Sequence, residues 1–403
     1  MTATAHPAQN PAAARAVEIA GVRLREIDIL RGLVIVLMAL DHVRDYMHVD
    51  AFDFSALDPD RTNVALYLTR WVTHLCAPTF VFLAGVSSYL QIARGKTKRQ
   101  LSTLLATRGL WLIVLELTVL SFGWSFSFPY PPFLQVIWAI GWSMIVLAGV
   151  IWLPRLAVLA VGVAIIVGHN AFDGITDAGI LWFLLHQSGP LLIGDQPIGL
   201  ASYPIIPWIG VICFGYGLGA VFLAPADKRD RNLFILGLCM LAAFLVLRGI
   251  NGYGDPRPWS LQDDMTKTMM SFFDVTKYGP SLMYVLVTLG IVLTIWPLLA
   301  RLPKAAGGVL ATYGAVPFFF YVLHVYLVHS VAVLGQVATG RSAEGQFGYL
   351  FNTFARPDLM ADMGFPLWAV YLFWIAIVAA LYLPCRYWAR LKRTRRDWWL
   401  SYL

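Results

Sequence analysis

The sequence predicts an all-α fold, a polytopic integral membrane helix bundle, on three observations. Hydrophobic residues make up 59% of the 403-residue chain, and the mean hydropathy is +0.67. Charged residues make up 13%, against about 25% in soluble proteins, which is too few to coat a water-facing surface. Apolar runs of about 20 residues, the length that crosses a hydrocarbon core, recur along the chain. Together they exclude a soluble globular enzyme, a disordered chain and a disulfide scaffold. Cys76, Cys213, Cys239 and Cys385 fall in or beside apolar runs, where cysteine behaves as a small hydrophobe. No pair has metal-ligand spacing, so neither a disulfide nor a metal site is expected.

About ten spans follow in order. Residues 1–28 are polar and Ala-rich, lack the apolar core of a cleavable signal, and form a cytoplasmic segment. The first span, 29–48, follows Arg15, Arg23 and Arg25. The second and third, 65–93 and 109–126, bracket Arg94, Lys96, Lys98, Arg99 and Arg108. The fourth and fifth, 133–153 and 156–170, bracket Arg155. The sixth and seventh, 204–224 and 233–250, bracket Lys228, Arg229 and Arg231. The eighth and ninth, 278–300 and 309–334, bracket Arg301 and Lys304. The tenth, 366–387, runs into Arg386, Arg390, Lys392, Arg393, Arg395 and Arg396.

The alternate connections hold Arg61, Arg257, Lys267, Lys277, Arg341 and Arg356. They carry instead Asp50, Asp53, Asp58, Asp60, Asp173, Asp177 and Asp195. Basic loops stay in the cytoplasm, so both termini are expected inside. The net charge of +7 is thus a topology signal and not a mark of nucleic-acid binding. One transmembrane domain, 29–387, precedes a basic tail, 388–403, that suits anionic lipid headgroups. The longest connections, 171–203, 251–277 and 335–365, read as loops, with 179–192 an added interfacial or re-entrant piece.

Charge inside a bilayer is costly and marks function. Five ionisable residues crowd eight positions of the first span: Asp41, His42, Arg44, Asp45 and His48. Asp41, Arg44, Asp45 and His48 share one helix face, and His42 sits three residues before Asp45. Arg31 stands at the cytoplasmic start of that span, and His42 is roughly 16 Å deeper, past mid-membrane. If the helix ended before the cluster, the apolar run 29–40 would be too short to span. The second span adds Arg70 and His74, and the ninth adds His324; the three histidines lie at similar depth. Lys277, Tyr278 and Ser281 stand at the outer entrance of the eighth span. Glu116 is read as a partner of Arg70 or Arg108, and His186 and His329 as interfacial.

A histidine beside carboxylates suits general-base catalysis, with the carboxylate fixing the tautomer. Arg44 suits a phosphate, a carboxylate or a polarised carbonyl. On spacing alone, a proton-coupled transporter or permease using Asp41, His42 and Asp45 as a relay explains the same residues. There is no P-loop, HExxH, GxSxG or strand-borne GxGxxG motif. The glycine run from Gly215 to Gly219 reads as close helix packing.

Several motifs resemble those of the heparan-α-glucosaminide N-acetyltransferase family, in its bacterial members. They are Arg25 to Gly32 with Leu37-Met38 and Asp41 to Arg44, Pro78 to Gly85, Pro207 to Gly210 with Gly215 to Gly217, Thr276 to Ser281, and Pro317 to His324. The resemblance covers essentially residues 25–387 and implies a transmembrane acyltransferase. Such an enzyme takes an acyl group, usually acetyl, from cytosolic acyl-CoA as co-substrate, without a tightly bound cofactor. It delivers the group to a saccharide amine or hydroxyl, or another polar acceptor, on the far side. The resemblance places the catalytic role on His42 or His48; His42 is deeper and flanked by Asp41 and Asp45, which would orient it. Arg31, Arg44, His48, His74, Lys277, Tyr278, Ser281 and His324 are then expected to bind substrate or CoA. Lipids, acyl-CoA and the acceptor are the implied partners, with a homodimer compatible and nucleic acid not expected.

Overall fold

The computed structural model describes residues 24–402, apart from 52, 176–178, 195, 361–362 and 396. Arg15, Arg23, Asp177, Asp195 and Arg396, and nearly all of the segment 1–28, lie outside the described residues. The long helices are α1 (Arg25–Met47), α2 (Val64–Ala93), α3 (Lys98–Ser125), α4 (Val136–Val150) and α5 (Arg155–Phe172). After the short α6 (Gly179–Leu185) come α7 (Ile205–Leu223) and α8 (Ala226–Ile250). The short α9 (Met265–Phe273) precedes α10 (Leu282–Leu299), α11 (Lys304–Ala315), α12 (Pro317–Ala338), α13 (Tyr349–Ala355) and α14 (Leu367–Thr394). Among the described residues, α2, α3, α5, α7, α8, α10, α12 and α14 are long and apolar enough to cross a membrane. The chain is a multi-pass membrane protein. Helix α1 carries the charged cluster and α4 has 15 residues, so both fall short of that apolar length.

Proline sets several boundaries, because it fixes φ and has no amide to donate. Pro154, Pro204, Pro225, Pro303 and Pro366 each stand immediately before a helix. Pro317 splits the expected ninth span, 309–334, into α11 and α12. It forces Val316 out of the helical region, to φ −136° and ψ 49°. Pro78 acts more locally. It denies the His74 carbonyl its usual amide partner in α2, which tightens to a 3₁₀ turn at Thr73–Leu75. The Tyr284 hydroxyl donates to that carbonyl instead, at 2.8 Å, tying α10 to the break.

Helix α1 is the axis of the bundle, packed against α2, α10, α11, α12 and α14. Its closest approach is to α11, and glycine makes it possible. A Cβ on Gly32 would stand 1.8 Å from the Leu310 carbonyl oxygen, and one on Gly314 would stand 1.8 Å from that of Asp28. In a bilayer, where lipid is as apolar as a core, such close backbone contact is a main source of helix association. Gly32→Ala is therefore expected to destabilise by about 1–3 kcal/mol through overpacking, read as a lowered Tm in detergent. The run at Gly215 behaves as expected: a Cβ there would meet the Phe82 carbonyl at 2.1 Å. At the periphery, α8 and α14 expose Leu238, Leu245, Val246, Leu372, Ile375 and Leu383, a lipid-facing surface.

The purely helical expectation misses a small sheet. Strands β1 (Phe133–Leu134), β2 (Gly189–Ile193) and β3 (Gln196–Ala201) lie in the order β1-β3-β2. Phe133 pairs in parallel with Leu200, and Pro190 pairs antiparallel with the same residue. The segment 179–192, expected as one interfacial piece, is α6 followed by β2. The sheet joins the entrances of α4 and α7 and so carries Gln135 and Tyr203 toward one cavity.

Candidate active site

The C-terminal half of α1 places its cluster at the junction of α2, α12 and the segment before α10. Asp41 is 5% exposed and surrounded by cations. Arg70 donates to its two oxygens at 2.7 and 2.5 Å, Lys277 Nζ donates at 3.0 Å, and Arg44 at 3.1 Å. Arg44 also reaches Asp45 at 2.5 Å. Three cations thus share two carboxylates, which leaves one positive charge in surplus around the buried Asp41. Removing one partner of such a buried set leaves uncompensated charge.

His42 lies one residue and about 100° around the helix from Asp41, and its hydrogen bond goes to a different partner. Its Nδ1 is 2.7 Å from His324 Nε2, and the two rings stack with centroids 4.9 Å apart. His324 Nδ1 lies 3.1 Å from the Phe320 carbonyl oxygen. A carbonyl can only accept, so His324 Nδ1 carries a proton and its Nε2 presents a lone pair. His42 Nδ1 must then donate, which leaves His42 Nε2 as the basic nitrogen. Trp124 packs edge-on against the His42 ring at 4.8 Å. The expectation that Asp41 or Asp45 orients His42 is therefore corrected: both carboxylates serve cations, and a neutral histidine locks the tautomer.

His42 lines a cavity of about 110 Å³ together with Asp41, Asp45, Lys277, Tyr278 and Tyr203. Tyr278 accepts from Arg70 at 3.2 Å, so its hydroxyl is held by the same cation that holds Asp41. A second cavity, of about 310 Å³, is lined by Arg31, Gln91, Arg108, Tyr321 and Lys392. Met38, Phe80 and Val136 line both cavities and form the partition between them.

The other expected site residues are dispersed. Arg31 donates to Ser87 Oγ at 2.5 Å and to the Leu83 carbonyl at 3.3 Å, which holds it on the wall of the larger cavity. His48 closes α1, where its Nδ1 accepts from the Asp50 amide at 3.2 Å, outside both cavities. His74 is buried beside Trp71 and Tyr284, its Nδ1 turned to the carbonyls of Arg70 and Trp71. Ser281 is the N-cap of α10. Its hydroxyl accepts from the Tyr284 amide at 3.0 Å and donates to Asp255 at 2.7 Å. His48 and Ser281 are thus helix-terminus residues held by local hydrogen bonds, and His74 is a core residue whose Nε2 has no hydrogen-bond partner among the described residues. Glu116 accepts from the Gln135 amide at 2.6 Å, not from Arg70 or Arg108. His329 is fully buried between the carbonyls of Gly123 and Gln346, not interfacial. Trp124, Gln135, Tyr203 and Tyr349 join the smaller cavity without any signal in the sequence, since each comes from a loop or helix end.

The model of the family described as heparan-alpha-glucosaminide N-acetyltransferase, catalytic, matches residues 23–250. Helix α1, with His42 and the cations around Asp41 on α1 and α2, lies inside that stretch, while Lys277 and His324 lie beyond it. No curated protein matches the sequence. The family match covers more than half of the chain, which, with its membrane helices and buried polar site, belongs to the heparan-alpha-glucosaminide N-acetyltransferase family of membrane acetyltransferases.

Proposed function

We propose that the protein transfers an acyl group, in the first place acetyl, from cytosolic acyl-CoA to an extracytoplasmic polar acceptor. The acceptor is a saccharide amine or hydroxyl. The observation that carries this reading is the histidine pair. His42, with Nε2 basic, lines the smaller cavity beside the partition that separates it from the larger one. The larger cavity would take the pantetheine arm of acyl-CoA, with Arg31, Arg108 and Lys392 near the phosphates. The smaller cavity would take the acceptor. The orientation drawn from the basic loops supports this arrangement, because Arg31, Arg108 and Lys392 all belong to the end expected in the cytoplasm. Ten spans and cytoplasmic termini, in a bacterial inner membrane, are part of the same proposal.

In this mechanism His42 Nε2 takes the proton of the attacking amine or hydroxyl as the acceptor attacks the thioester carbonyl. The imidazolium that forms keeps its Nδ1–H on His324 Nε2 and gives the Nε2 proton to the thiolate of CoA as the carbon–sulfur bond breaks. A neutral partner costs less to bury than a second carboxylate. Alternatively Nε2 carries the acyl group transiently, expelling the thiolate before the acceptor attacks. Lys277 and Arg44 supply the surplus positive charge for the developing oxyanion. Asp41 is a poor proton relay, since three cations hold it as a carboxylate, which weighs against the transporter reading.

The test is product formation in proteoliposomes, with labelled acetyl-CoA on the face bearing Arg31 and amino sugars or sugar alcohols on the other. Acetylated sugar and stoichiometric free CoA are expected. Solute accumulation driven by a pH gradient, without CoA release, would overturn the reading. Arg108→Ala is expected to raise KM for acetyl-CoA about tenfold or more with little change in kcat, as loss of a charge-assisted contact predicts.

A further inference from the structure

We infer a second site, outside the acyl-transfer cavity: a three-ligand site for zinc or a similar first-row divalent ion, built by His169, Asp173 and His186. Their ligand atoms all lie within 4.8 Å of one another. His169 and Asp173 occupy successive turns at the end of α5, and His186 follows α6. The cysteine spacing gave no reason to expect a metal; a histidine and a carboxylate four residues apart on a helix end, with a second histidine in the next connection, do.

Asp173 Oδ1 and His186 Nε2 are 3.0 Å apart. That separation suits a hydrogen bond and equally suits two ligands of one ion, which at tetrahedral zinc stand about 3.3 Å apart. His169 distinguishes the two. It is 5% exposed, and neither of its ring nitrogens has a hydrogen-bond partner. The Pro280 carbonyl lies near the ring but outside hydrogen-bond geometry. A buried imidazole without a partner is costly, and a bound ion supplies the missing interaction. The three ligand atoms lie within 4.8 Å of one another, so closing to the roughly 3.3 Å of a tetrahedral site takes a ring movement of about 1.5 Å at most.

The surroundings are those of a metal site. Asn170 Nδ2 donates to Asp173 Oδ2 at 2.8 Å, fixing the second carboxylate oxygen. Gln187 Nε2 donates to the Asp173 carbonyl at 3.1 Å. Trp182 packs on the His186 ring, with centroids 4.6 Å apart. Outer hydrogen bonds of this kind orient ligands and sharpen affinity. Two imidazoles and one carboxylate favour zinc or a neighbouring transition ion over calcium or magnesium, which take mainly oxygen ligands.

The ion would act as a clasp. Asn170 Oδ1 also accepts from the Leu282 amide at 2.9 Å, and the backbone of His186 abuts Gly279. Binding therefore ties the end of α5 and the segment around His186 to the stretch 277–282. That stretch carries Lys277 and Tyr278 into the smaller cavity.

The experiment uses the full chain in detergent, free of any histidine tag and stripped with chelator, titrated with zinc chloride and separately with cobalt chloride. One ion per chain is expected, with visible d–d bands for cobalt and a zinc-dependent rise in Tm of several degrees. His169→Ala and Asp173→Asn should each weaken zinc binding by about a hundredfold or more and remove the rise in Tm. Asp173→Asn retains a hydrogen-bonding amide and so tests the ligand role if His169→Ala folds poorly. Wild-type affinity weaker than about 100 µM, or wild-type binding in both variants, would overturn the site.

Discussion

Replacing His42 with alanine is expected to reduce acyl transfer by about a thousandfold or more while leaving a folded protein. General-base loss alone is worth roughly 10²–10⁴ in rate, and loss of a transient acyl carrier would remove the rest. The imidazole lies against Trp124 and His324 at the wall of a cavity, so its removal opens space without exposing a charge. His324→Phe separates the two roles of the pair. It keeps an aromatic ring beside His42 but removes the acceptor for Nδ1, so the basic nitrogen is no longer fixed as Nε2. A loss of about ten- to a hundredfold in kcat, with KM for acetyl-CoA unchanged, is the expected result. Both are measured by turnover in proteoliposomes beside thermal melting. A His42→Ala protein that turns over at the wild-type rate would remove His42 from the chemistry.

The second large effect is on stability. Asp41→Asn is expected to destabilise by about 3–5 kcal/mol, because Arg44, Arg70 and Lys277 would surround a neutral amide. The measurement is Tm in detergent, where the drop should exceed that of any single change at Asp45, whose side chain is 31% exposed. The double change Asp41→Asn with Lys277→Met removes one of the stranded cations and should recover part of the loss. Non-additivity of that sign is the mark of direct coupling. If the single variant melts with the wild type, the cluster does not hold α1, α2 and the segment before α10 together.

Much of this molecule was legible in the chain. Scarce charge and repeated apolar runs specify a membrane bundle, because a bilayer admits closed helices of about 20 residues. The crowding of charge on α1 marks the site, since a charge inside lipid survives only where something compensates it. Proline marks helix starts, although the break at Pro317 was absorbed into a longer apolar run. The sheet escaped notice because strands of two to six residues leave no periodic trace. Ser281, His48 and His74 match the expected site by position along their helices, but the fold ties Ser281 and His48 into helix termini and buries His74 beside Trp71 and Tyr284.

The sequence by itself determined the class of fold and the helix on which the ionisable residues crowd, from Asp41 to His48. Only the tertiary structure decided who meets whom: His42 with His324, 282 positions apart, Asp41 with Lys277, 236 apart, and Met38, Phe80 and Val136 as a shared partition between two cavities. The physical reason lies in the solvent. In water, a helix records its buried face as a stripe of apolar residues. In lipid, both faces are apolar, so the sequence does not say which side of a helix meets its neighbour, and packing alone decides.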